Sequence, residues 1–161
     1  MNNIFNLVFD ELTSQKLYIS DKDVERPWGG FFSIDEKDSE IFLDFYFNGN
    51  YRKKIPSENK ISLKILVIAP NKKLSWQYHK RRSEIWKVYK GSIKVVRSHD
   101  NIQRKEIFLN EGDEIKLFKG ERHRIIGTND FAIVAEVWIH TDKNDLSNED
   151  DIVRVEDDFG R

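Results

Sequence analysis

The chain has 161 residues, 39% hydrophobic and 12% aromatic, enough to bury one sizeable core and too few for a second domain of ordinary size. Lys plus Arg (27) nearly cancel Asp plus Glu (28), so no global field is available to hold nucleic acid or an anionic membrane, and any charge-based function must be local. The absence of cysteine excludes disulfides, thiolate ligands and a cysteine nucleophile, which leaves nitrogen and oxygen for any metal.

The opening run "MNNIFNLVFDELTSQKLYI" lacks the basic start and unbroken apolar core of a signal peptide, and no stretch of about 18 apolar residues occurs anywhere. A soluble, cytoplasmic protein is expected. Phe5, Val8, Phe9 and Leu12 recur at helical spacing, which predicts a short amphipathic helix within an N-terminal extension over residues 1–24. Its role is packing. The stretch that begins at Asp35, "DEKDSEIFLDFYFNGNYRKKIPSENK", reads as a strand or hairpin inserted over residues 35–59. In "KISLKILVIA", Ile61, Leu63, Ile65 and Val67 share one face and Ser62, Lys64, Leu66 and Ile68 the other, as in a strand of a packed sheet. Pro70-Asn71 then marks a turn. The runs "IWKVYKG", "SIKVVRSH", "KEIFLN", "DEIKLF", "RHRIIG" and "FAIVAEVWIH" follow, separated by turn residues. Many short strands at such spacing predict an all-β sandwich or barrel, here one domain over residues 1–161. No repeat, heptad or glycine-rich phosphate loop is visible.

Between the turn after Pro70 and the next strand lies "LSWQYHKRRSEIW". In a strand Gln77 and His79 point to the same face, so both reach one point. A turn over Lys80 to Ser83 lets Glu84, at the start of the next antiparallel strand, aim its carboxylate there too, with Gly91 closing that strand. Taken alone, a histidine beside "KRR" is more often solvated than a ligand. The second piece is "GDEIKLFKGERHRIIG", where a strand and a Gly120 turn lead to His123.

Together these give Gln77-x-His79-x4-Glu84-x6-Gly91 and Gly112-x7-Gly120-x2-His123, a pattern that resembles the two motifs of the cupin superfamily. Cupins are small β-barrels of the double-stranded β-helix jelly-roll type, here with a short N-terminal helix. In that superfamily the first position is usually histidine and a proline commonly stands two residues before the second motif's final glycine; this chain has Gln77 and Phe118. The set Gln, His, Glu, His is that of phosphomannose isomerases. "ERPWGGF" (Glu25 to Phe31), "LSWQYHKRRSEIW" and "NEDDIVRVEDDFGR" (Asn148 to Arg161) look like the type II phosphomannose isomerase family, whose members often carry this cupin as the C-terminal part of a bifunctional isomerase and guanylyltransferase. The guanylyltransferase half is not in this sequence, and no nucleotidyl transfer is expected of it. Where the family commonly has "HHHRAEHW", this chain has "HKRRSEIW", so the rim around the ligand His79 is altered.

The resemblance implies a metal-dependent interconversion of mannose 6-phosphate and fructose 6-phosphate, with one divalent ion held by Gln77, His79, Glu84 and His123. A single carboxylate leaves such an ion net positive, which suits stabilisation of an oxyanion. Nitrogen and oxygen ligands admit zinc, manganese, cobalt, nickel or iron, and zinc is the working expectation. Arg82, Arg154 and Arg161 match family arginines and are expected at the phosphosugar and the site's rim, with Lys64 on the strand before the metal motif beside them. Glu136 matches a family glutamate that faces inward and is expected to be the proton carrier or its orienting partner, so that Glu136, Arg82 and Arg154 form the catalytic set. For each cation the competing reading is a solvated surface charge, and for Glu136 a buried structural pair. Arg26, Pro27 and Trp28 are expected as a structural tie, and His99 and His140 to have no catalytic part. The acidic stretch ending in Ile152-Val153-Arg154-Val155 is expected to fold, over residues 148–161, across the barrel mouth. A homodimer through sheet edges is expected, and nucleic acid is not. A non-catalytic sugar-binding or regulatory cupin, an isomerase of another phosphosugar and a metal-dependent oxygenase stand as alternatives.

Overall fold

The alternation in "KISLKILVIA" places one strand between two apolar layers. In the computed structural model, which describes residues 2–49 and 51–160, β3 (Ile61–Ile68) sits inside an antiparallel six-stranded sheet ordered β1-β2-β3-β10-β5-β8. The other members are β1 (Ile19–Arg26), β2 (Gly29–Ile34), β5 (Arg82–Lys90), β8 (Glu114–Leu117) and β10 (Ala132–His140). A five-stranded sheet faces it: β11 (Ile152–Glu156), β4 (Trp76–His79), β9 (Arg122–Gly127), β6 (Ser92–Ser98) and β7 (Ile107–Asn110), in that order. The two sheets form the expected all-β jelly roll.

Two cores follow from the period of two along β3 and β10. Ile61, Leu63, Ile65 and Val67, with Ile133, Ala135, Val137 and Ile139, face outward and are covered by Phe5, Val8 and Leu12 of the helix α1 (Asn2–Ser14). Leu66, Ile68, Ala132 and Val134 face the barrel interior, against Trp86, Val88, Ile93, Val95 and Ile125. Both faces are buried, so these strands read as nearly continuous apolar runs. Each fully buried Leu, Ile or Phe contributes about 1.5–3 kcal/mol by burial.

The expected hairpin over residues 35–59 is instead helical. A 3₁₀ turn at Glu36–Asp38 leads into α2 (Ser39–Phe47), and a further 3₁₀ turn covers Tyr51–Lys54. Phe42, Leu43, Tyr46 and Phe47 are buried together on one face, the i, i+1, i+4, i+5 spacing of a helix, while Ile41 is exposed. The aromatic and β-branched composition favoured a strand, but the outer face of β3 and β10 needed a helical cover. Asn48, left-handed at φ 59°, ends α2.

The link between β4 and β5 also differs from expectation. Strand β5 begins at Arg82, so only Lys80 and Arg81 separate the two strands, and β4 and β5 lie in different sheets. Arg82 and Glu84 therefore share the interior face of β5. The motif glycines Gly91 and Gly120 both sit at φ 78° in tight turns, where a side chain is strained. Among the described residues no helix is long and apolar enough to cross a membrane.

Candidate metal centre

Three ligand-type side chains converge between the two sheets. His79 ends β4, Glu84 is on β5 and His123 is on β9, each almost wholly buried. His79 Nε2 and His123 Nε2 are 3.2 Å apart, Glu84 Oε1 is 3.1 Å from His79 Nε2, and Glu84 Oε2 is 3.5 Å from His123 Nε2. Donor atoms that each stand about 2.1 Å from one divalent ion lie roughly 3.0–3.5 Å from one another. The triangle has those edges.

The electronic state of the donors carries the stronger argument. His79 Nδ1 donates to the carbonyl of Asp151 at 3.2 Å, and His123 Nδ1 donates to the carbonyl of Glu121 at 2.9 Å. A carbonyl only accepts, so both imidazoles hold a proton on Nδ1 and turn Nε2 inward. Burial pushes His123 down to about 4 and keeps it neutral. Burial alone would raise Glu84, but the charges of His79 and Arg82 outweigh it and hold the carboxyl well below its ordinary range. Glu84 Oε2 is buried without a hydrogen-bond partner. The Nε2 lone pair of neutral His123 beside an orphaned carboxylate oxygen of Glu84 is unfavourable without a cation between them. His79, Glu84 and His123 form a cluster able to hold a metal ion, and their chemistry fits one.

The surrounding wall distributes the other expected residues. Gln77 pairs with His123 across β4 and β9 and lines the same cavity, its amide oxygen accepting from Ser75 Oγ. Arg82 lies beside the cluster rather than free in the cavity: Nε donates to Glu84 Oε1 (2.7 Å), Nη1 to Ser147 Oγ (2.8 Å) and the Asn148 carbonyl (3.2 Å), and Nη2 meets His79 Nε2 at 3.2 Å. The guanidinium also stacks on Trp138, 3.6 Å from the ring centre. Most of its donors are committed within the protein. Lys64 is buried against the rings of Phe31 and Trp138 and ion-paired with Glu149. Glu136 faces inward, accepting from Trp86 Nε1 at 2.9 Å. Burial, reinforced by the negative charge of Glu84, pushes it up to about 8. Arg154, on β11 opposite Gln77, lines the cavity with a buried Nε that has no partner. Arg161 lies outside the described residues.

The cavity lined by these side chains measures about 60 Å³. Arg26 and Trp28, read as structural, line it as well; Arg26 is paired with Asp23 at 2.7 Å. His140 stays apart from the cluster: Nδ1 accepts the Ser147 N–H, so Nε2–H donates to Ser62 Oγ at 2.8 Å. Ser147, Glu149 and Asp151 were not singled out by the sequence, because in an acidic run only a solvated tail is legible. The one available signal was Asp151 standing directly before the apolar Ile152-Val153.

A family model described as "Mannose-6-phosphate isomerase C-terminal" matches residues 13–157. The xanthan biosynthesis protein XanB of Xanthomonas campestris pv. campestris is 28% identical over 86% of this chain and 23% of its own length. A mannose-1-phosphate guanylyltransferase of Salmonella montevideo is 26% identical over 94% of this chain and 26% of its own. The chain thus spans about a quarter of the length of the curated relatives it matches. Among solved structures, a variant oxalate decarboxylase of Bacillus subtilis superimposes with a TM-score of 0.60 at 17% identity, over 86% of this chain and 32% of that one. At that identity the likeness speaks for the fold alone, the cupin jelly roll. With the family model covering nearly the whole of it, the chain belongs to the mannose-6-phosphate isomerase C-terminal family.

Proposed function

We propose that this chain is a metal-dependent aldose–ketose isomerase of a phosphosugar, with mannose 6-phosphate and fructose 6-phosphate as the pair. The observation that carries the reading is the buried cluster of His79, Glu84 and His123, whose Glu84, with an orphaned carboxylate oxygen, lines one cavity with Gln77, Glu136, Lys64 and Arg154. A divalent ion held by His79, Glu84 and His123, with Gln77 beside them, supplies Lewis-acid stabilisation of the negative charge that develops on the sugar oxygens.

The isomerisation moves a proton between adjacent carbons, and Glu136 is the group to carry it. Its affinity for a proton, raised to about 8, lies close to neutrality, where a side chain both gives and takes protons efficiently. Trp86 holds its Oε1 and leaves Oε2 for the proton. Lys64 and the unpartnered Nε of Arg154 bring positive charge to the wall that receives the phosphate. Arg82, bound to Glu84 and His79, fixes the ligands. The curated relatives are named for xanthan biosynthesis and for mannose-1-phosphate guanylyl transfer, which supports a phosphorylated mannose as substrate.

A binding-only role is favoured by one observation: Glu149 already neutralises Lys64 at the cavity wall. The deciding experiment is a coupled assay of mannose 6-phosphate conversion on protein stripped of metal and resupplied with zinc, cobalt or manganese, alongside Glu84→Ala. Metal-dependent turnover lost in the variant is expected. Metal and sugar phosphate bound with no turnover would replace the isomerase by a binding protein.

A further inference from the structure

The segment that follows β10 is exposed from Thr141 to Leu146 and then makes two buried anchors, Ser147 and Asp151, before β11. Asp151 closes on the two-residue link that joins the ligand strands β4 and β5, and Ser147 closes on Asp151 and on Arg82 at the start of β5. Asp151 Oδ1 accepts the Lys80 N–H (3.0 Å), and its Oδ2 accepts the Arg81 N–H (2.9 Å) and Ser147 Oγ–H (2.6 Å). The carbonyl of the same residue takes the Nδ1 proton of His79. From the other side Arg82 grips Ser147 and Asn148 while donating to Glu84. Strand β11 adds a ladder to β4 itself, Ile152 opposite His79 and Arg154 opposite Gln77. One aspartate thus fixes the tautomer of His79 through its main chain and the position of the link through its side chain.

We infer that Asp151 is a positioning residue of the metal centre, and that docking of segment 147–156 and binding of the metal are one coupled equilibrium. The inference rests on the reading of His79, Glu84 and His123 as metal ligands. If docking aims Nε2, an ion on Nε2 must in turn favour the docked segment by the same factor. Outer partners of ligating histidines carry about 10–100-fold of metal affinity, and Asp151 falls in that class.

The test uses the full chain, zinc as the ion and a competing chromophoric chelator to read its Kd. Asp151→Asn and, as the milder change, Ser147→Ala are expected to weaken zinc by about tenfold or more. Glu106→Gln, at an exposed ion pair with Lys94 outside segment 147–156, leaves the Kd unaltered. In the unmutated protein zinc slows hydrogen exchange at the Lys80 and Arg81 amides, the donors to Asp151. Cobalt in the variants shows an altered visible spectrum. A zinc Kd unchanged in folded Ser147→Ala and Asp151→Asn, or exchange at those amides indifferent to zinc, overturns the coupling while leaving the site. Should Asp151→Asn not fold, Ser147→Ala decides. No zinc bound by the unmutated chain removes the ligand assignment itself, and the coupling with it.

Discussion

Replacing Arg82 by methionine puts the electrostatics of the cluster to a direct test. The side chain is 2% exposed and joins Glu84, Ser147, Asn148 and His79 by hydrogen bonds, with Trp138 stacked on it. Methionine fills similar space but leaves Glu84 as a buried carboxylate without its guanidinium partner. Breaking one side of a buried ion pair costs about 3–5 kcal/mol. For a chain of this size each kcal/mol moves Tm by about 2–4 °C, so a drop of roughly 6–20 °C is expected. The assay is urea and thermal unfolding of metal-free protein at pH 7, with chelator present. Arg82→Lys restores a charge but not the planar fork that reaches Glu84 and Ser147 together, and should fall between the two. A loss below about 1 kcal/mol in Arg82→Met, the size of an exposed pair, would refute the view that Arg82 is what neutralises Glu84 in the metal-free protein.

Glu136 gives a prediction in pH. Its folded-state proton affinity is raised by burial and Glu84 to about 8, so between about 4.5 and 8 the folded chain binds more protons than the unfolded one. Stability of the metal-free protein therefore falls as pH rises through that window, by up to about 1.4 kcal/mol per pH unit. Glu136→Gln should flatten the urea midpoint against pH; parallel profiles for the two proteins would reject the assignment. Glu149→Gln, which frees Lys64, should lower by up to about fivefold the inorganic phosphate needed for a given rise in Tm, since a pair with one exposed member is worth up to about 1 kcal/mol. An unchanged phosphate dependence would show that Glu149 does not stand where the anion binds.

What the sequence made legible follows from which physical signals are local. The strands from Ile61 to His140 showed themselves because apolar alternation and turn residues are written into consecutive positions. The strand β1, "ISDKDVER", is largely exposed and carries no such stripe, and it went unread beside the motif "ERPWGGF". The helix α2 was misread because "FLDFYF" has the composition of a strand; only the partners waiting on the outer face of β3 and β10 decide its period. His79, Glu84 and His123 were nameable through a spaced motif, since turn lengths fix which residues meet. The place of Arg82 was not, because nothing in "HKRRSEIW" tells a cation aimed at a phosphate from one clamped between a ligand and Ser147. Asp151 is the extreme case. Its role depends on a segment returning across the barrel to a link 70 residues earlier in the chain, at Arg81.

The register of the six-stranded sheet explains why a proton carrier and a metal ligand share one cavity. On β10, Glu136 is opposite Lys64 of β3 on one side and Trp86 of β5 on the other, and Trp138 is opposite Glu84. Neighbouring strands stand about 4.8 Å apart, so the row Lys64, Glu136, Trp86 and the next interior row, with Trp138 and Glu84, form a compact patch. Within it the two carboxylates repel, and the sheet decides which one ionises. Glu84 has Arg82 and the imidazoles, whereas Glu136 has an indole N–H and a lysine already held by Glu149. Glu84 therefore takes the charge and Glu136 the proton. A slip of one residue between β10 and β5 would send Glu136 to the face covered by α1 and α2, away from Trp86 and Glu84. The apolar outer stripe of Ile133, Ala135, Val137 and Ile139 thus protects the chemistry of the inner one, because both are set by the same register.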